Sequence, residues 1–69
     1  MAQLFDVEGR LVAVEGETAS VLKAGTWIRV SGKLLARKAE VDGVYLTEAQ
    51  ARAQFPDMPK SLNSIRTIN

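Results

Sequence analysis

Short runs of apolar residues, each four to six long, alternate with glycine-centred breaks through the first half of the chain. Leu4-Phe5-Asp6-Val7 runs into Glu8-Gly9, and Arg10-Leu11-Val12-Ala13-Val14 into Glu15-Gly16-Glu17. Thr18-Ala19-Ser20-Val21-Leu22-Lys23 then meets Ala24-Gly25-Thr26, and Trp27-Ile28-Arg29-Val30 meets Ser31-Gly32. Strand-length runs rich in β-branched residues, parted by short glycine turns, predict consecutive hairpins. Glycine takes the positive φ of such turns without steric cost. A helix across residues 10–30 would carry interior glycines and a Trp-Ile-Arg-Val run, both opposed by helix propensity.

The pattern changes after Gly32. Residues 33–41 are rich in helix formers, yet Asp42-Gly43 is the strongest short hairpin signal in the chain. Arg37 to Val41 is therefore expected to be a strand returning through Val44 to Leu46, with room for one helical turn before it. Thr47 with Gln50 three positions on makes a capping box, and good helix formers follow up to Phe55-Pro56. These predict a short helix over about 47–55, stopped by the proline. The tail holds Leu62, Ile65 and Ile68; it reads either as an edge strand around 64–68 or as loose apolar packing. The expected fold is mainly β: a small β-meander or partly closed barrel of about five short strands with one short C-terminal α-helix, a single domain over residues 1–69.

Composition narrows the chemistry. The chain has 46% hydrophobic and 25% charged residues, a globular balance. At 69 residues only about 60% of the unfolded surface can be buried, so homodimer formation is one way to gain core. There is no cysteine and no histidine, which excludes disulfides, thiol nucleophiles and imidazole bases. No catalytic residue, cofactor or metal is expected, and the protein is expected not to be an enzyme. No basic leader with an apolar core and no membrane-length apolar run stands in the sequence, so a cytoplasmic protein is the default expectation.

Two partial motifs are coincidental. Ser20-Val21-Leu22-Lys23 has the Ser-x-x-Lys spacing of some acyl-transfer enzymes but none of their partner motifs. Gly25 to Lys33 spaces its glycines too widely for a phosphate loop, and Leu34 stands where that loop needs a hydroxyl. The pairs Asp6/Glu8 and Glu15/Glu17 flank glycine turns and read as solvated turn acids rather than a hydrolytic or metal-binding set.

Charge is unevenly placed. The net charge of +1 hides an acidic start and a stretch of 22 residues, Thr18 to Ala39, with no acid and five bases: Lys23, Arg29, Lys33, Arg37 and Lys38. Alternation puts Trp27 and Arg29 on one face of their strand, Ile28 and Val30 on the other. With Ile28 and Val30 inward, Trp27 and Arg29 form an outer face on which an indole stacks on a base and a guanidinium meets phosphate. The competing reading is that Trp27 caps the core and the bases merely solvate a sheet.

Two resemblances bear on this stretch. Gly9-Arg-Leu-Val-Ala-Val through Lys23-Ala-Gly-Thr-Trp-Ile-Arg-Val-Ser-Gly-Lys-Leu resembles the opening meander of small nucleic-acid-binding β-barrels of the OB or SH3-like kind, and implies a binding face around Lys23, Trp27 and Arg29. Trp27 to Lys38, followed by Asp42-Gly-Val-Tyr-Leu and a helix, is similar to the recognition-helix end, wing and following helix of excisionase-type winged-helix proteins, which bend DNA or repress promoters. The expectation is a non-enzymatic nucleic-acid-binding protein using Lys23, Trp27, Arg29, Lys33, Arg37 and Lys38. The alternative is a protein-interaction module of the kind phages and plasmids encode as inhibitors, regulators or assembly factors, docking through sheet edges or the turn at Phe55 to Pro59 and the apolar tail.

Overall fold

A computed structural model describes residues 2–59. It contains strands β1 (Gln3–Val7), β2 (Arg10–Glu15), β3 (Thr18–Lys23) and β4 (Thr26–Val30), helix α1 (Leu34–Asp42), strand β5 (Val44–Leu46) and helix α2 (Glu48–Gln54). The five strands form one open antiparallel sheet in the order β4-β3-β2-β1-β5. The expected mainly β fold is therefore found, with β1 to β4 as the meander. The tail readings at 62–68 lie outside the described residues.

Three two-residue hairpins set the register. Val7 pairs with Arg10, Glu15 with Thr18, and Lys23 with Thr26. The first and third turns place both residues at positive φ: Glu8 at 54° and Gly9 at 84°, Ala24 at 51° and Gly25 at 76°. That is the type I′ turn, whose twist matches the flanking strands. Ala24 occupies the left-handed region, where its Cβ crowds the following carbonyl. Ala24→Asn is thus expected to raise stability by about 1 kcal/mol, read as a higher urea midpoint at unchanged slope.

Residues 37–41 correct the expected return strand: they belong to α1. As a strand they would offer the sheet only Ala39 and Val41 on one side. As a helix the segment buries Ala36 and Ala39, three apart, with Leu35 beside them, against Phe5, Val7, Val12, Val14 and Ala19. The small side chains let the helix lie close on β1, β2 and β3. Asp42 is the last helical residue and Gly43 is extended, φ −77° and ψ 160°, so the pair lacks the double positive φ a type I′ turn needs. Gly43 N–H closes the helix on Ala39 O at 2.9 Å. Because the sheet is antiparallel throughout, β4 and β5 run in the same direction at its two edges, and α1 is the crossover between them.

The second helix forms as expected. Thr47 Oγ1 accepts from Gln50 N–H at 3.1 Å while Gln50 Oε1 accepts from Thr47 N–H at 3.0 Å, the reciprocal capping box. Pro56 follows the last turn, and the chain folds back so that Phe55 and Met58 pack on the sheet with Ala51. Asp57 Oδ2 accepts from Gly25 N–H at 3.1 Å, pinning this return to the β3–β4 turn. Phe55, Asp57 and Met58 thus hold residues 55–59 on the fold.

The sheet is covered on both faces. Leu4, Leu11, Ala13, Trp27 and Leu46 face α2 with Met58, and the alternate set faces α1. Leu11 to Val14 are all buried, as expected for a strand with helices on both sides.

Candidate nucleic-acid or protein interface

The six residues singled out from the sequence separate in space. Trp27 is only 1% exposed, while Ile28 is 45% exposed, so the expected inward and outward sides of β4 are reversed. Trp27 and Arg29 do share a side of the strand, as alternation requires, but that side is covered by α2 and the 55–59 return. The indole belongs to the core cluster that also holds Leu4, Leu11, Leu46 and Met58, and at 1% exposure it offers no stacking face. Arg29 is exposed further along the same side.

Lys23 sits at the end of β3, and Lys33, Arg37 and Lys38 lie on or beside α1, across the sheet from Arg29. Lys33 Nζ is 3.4 Å from Glu17 and Lys38 Nζ is 3.2 Å from Glu8. These pairs tie α1 to the β2–β3 and β1–β2 turns. Being exposed, each contributes at most about 1 kcal/mol and is weakened by salt. Glu8 and Glu17 are exposed turn acids, as expected, but Asp6 does more. Its Oδ1 accepts from Gly9 N–H at 2.9 Å and its Oδ2 from Gln54 Nε2 at 2.7 Å, joining the first turn to α2. Ser20 is buried within β3, on the opposite side of the strand from Lys23, so the two do not form a catalytic pair.

Sequence reasoning missed two surface features because α1 was read as a strand. The first is a groove of about 440 Å³ beside α1, lined by Val7, Val12, Val21, Val30 and Leu35, with Glu8, Arg10 and Lys38 at its rim. A smaller depression of about 340 Å³ adjoins it, sharing Arg10 and Val21 and adding Lys23. Arg10 was not among the expected site residues, since it lies outside the acid-free stretch. The second feature is the outer side of α1, where Leu34 is 86% and Val41 73% exposed. Seven positions apart, they fall on the same side of the helix. Tyr45 and Val44 are exposed on β5, with the Tyr45 ring edge-on to Phe5 at 5.9 Å.

The barrel likeness extends to the strands and turns alone, because among the described residues the outer strands β4 and β5 do not join. The winged-helix likeness fails at its centre: Trp27 to Val30, the expected recognition-helix end, is β4. Among the described residues no three metal-ligating side chains come together, and no helix is long and apolar enough to cross a membrane. Compared with known proteins, the chain matches no family model, no curated protein and no solved structure.

Proposed function

We propose that the chain is a non-enzymatic binding domain that holds a protein partner on the α1 side of its sheet. The observation that carries this reading is the pair Leu34 and Val41, exposed on the outer side of a helix whose inner side already supplies the core contacts. The fold gains nothing from them there, whereas a partner surface gains apolar burial worth about 25 cal/mol per Å². A cytoplasmic setting belongs to the same proposal and is supported by the cysteine-free composition.

A photoreactive residue replacing Leu34, in the chain expressed in its native cells, is expected to cross-link to a discrete protein. The cross-link should disappear when Val41→Gln is added, with circular dichroism unchanged. Cross-links to nucleic acid, or none above those from a photoreactive residue at exposed Gln3, would overturn the reading.

Nucleic-acid binding stands as the second reading, favoured by one observation: Arg10, Lys23 and Lys38 border adjoining depressions, and Arg37 lies on the same helix as Lys38. Phosphate contacts would dominate, so affinity for random oligonucleotides should fall steeply with salt. Absence of binding at low salt removes this reading without touching the first.

A further inference from the structure

We infer that the outer edge of β4 accepts an extended acidic peptide segment as a sixth strand. This rests on the protein-partner reading and names the class of partner. β4 ends the sheet, and among the described residues no strand pairs with its outer edge. Lys23 and Thr26 flank a two-residue turn and form a hydrogen-bonded pair, so Thr26, Ile28 and Val30 direct their backbone groups toward β3. Trp27 and Arg29 direct theirs outward, and these are the groups an added strand would engage.

The surroundings of the edge select the partner's side chains. On the α1 side, Ile28 is exposed and Val21 and Val30 are half-buried beside the groove. An incoming strand therefore meets apolar surface there. On the α2 side it meets Arg29. No ion pair engages Arg10, Lys23 or Arg29 among the described residues, and the chain from Thr18 to Ala39 has no acid. Edge bases disfavour pairing with another basic edge. In an antiparallel pairing of two copies through β4, Arg29 of both chains would stand on the same side of the joined sheet, which argues against self-pairing and for an acidic occupant. The fitting sequence alternates a β-branched residue, over Ile28, with Glu or Asp, toward Arg29.

The probe is a fluorescent peptide of alternating Val and Glu, titrated with the full chain and followed by anisotropy. Micromolar binding is expected, weakened by salt, and roughly tenfold weaker for the Val and Lys counterpart. Arg29→Glu should reverse that preference. Arg29 is exposed, so the fold is expected to survive, and circular dichroism checks this. N-methylation of alternate peptide residues should abolish binding in one phase and spare it in the other, because only one set of amides faces β4.

Equal binding of both charges, or indifference to N-methylation in either phase, overturns strand addition. No peptide binding by a chain that binds oligonucleotides, or that is dimeric through this edge, overturns it as well. If the peptides fail while the Leu34 cross-link persists, only this inference falls. If both fail, the protein-partner reading falls with it.

Discussion

Trp27→Ala is expected to leave the chain largely unfolded at 25 °C. The indole is among the largest fully buried side chains and connects strands of the sheet with Met58 from the return after α2. Removing a buried aromatic costs about 3–5 kcal/mol. A chain of this size seldom has more than about 3–5 kcal/mol to lose. An exposed stacking tryptophan would behave oppositely, with stability changed by less than about 0.5 kcal/mol. Urea denaturation separates the two outcomes, and so does the native protein's tryptophan emission, which should be blue-shifted and poorly quenched by acrylamide. Retention of a native-like melting curve by Trp27→Ala would sink the assignment.

A conservative replacement sharpens the point. Trp27 Nε1 is buried with no hydrogen-bond partner among the described residues. An unpaired buried donor costs free energy, so Trp27→Phe removes both packing volume and that penalty. The expected loss is only about 1–2 kcal/mol, with the fold retained. Trp27→Phe should leave binding at Leu34 and Val41 on α1 unchanged, since the indole lies on the other side of the sheet.

The contrast between β4 and the first three strands shows what a short sequence discloses. The hairpins were readable because glycines 9, 16 and 25 stand at the turns, and local chemistry sets the turn. Alternation likewise gave the correct grouping of Trp27 with Arg29. It could not say which group faces inward, because β4 has apolar residues at both parities and the sheet is covered on both sides. Assuming a one-sided sheet made Ile28 and Val30 the core pair. The uninterrupted apolar run Leu11 to Val14 was the available signal of a two-sided sheet, since a half-exposed strand would alternate. The charge run was legible as sequence but not as surface: Arg29 is separated from α1 by the sheet itself, and two of the lysines face turn acids.

Gly43→Ala tests the other misread element, and its expected cost is about 2–3 kcal/mol, at the upper end of ordinary overpacking. The reason is contact rather than backbone conformation, because φ at Gly43 is −77°, which alanine adopts freely. A Cβ built there lies 2.5 Å from Ala39 O, 3.1 Å from Phe5 Cβ and 3.1 Å from Val7 Cγ2. The first neighbour is backbone at the end of α1 and the other two project from β1, so none swings aside without moving an element. Relief would require α1 to lift from β1 or Val44 to leave its pairing with Asp6. Asp42→Asn supplies the discriminating control. In a type I′ hairpin the resulting Asn-Gly is the preferred turn pair and should stabilise. At the end of a helix followed by extended backbone that preference has no conformation to act on, so a change within about 0.5 kcal/mol is expected. Thermal melts showing a stabilising Asp42→Asn together with a tolerated Gly43→Ala would restore the hairpin and remove α1. With it would go the outward placement of Leu34 and Val41 on which the protein-partner reading stands.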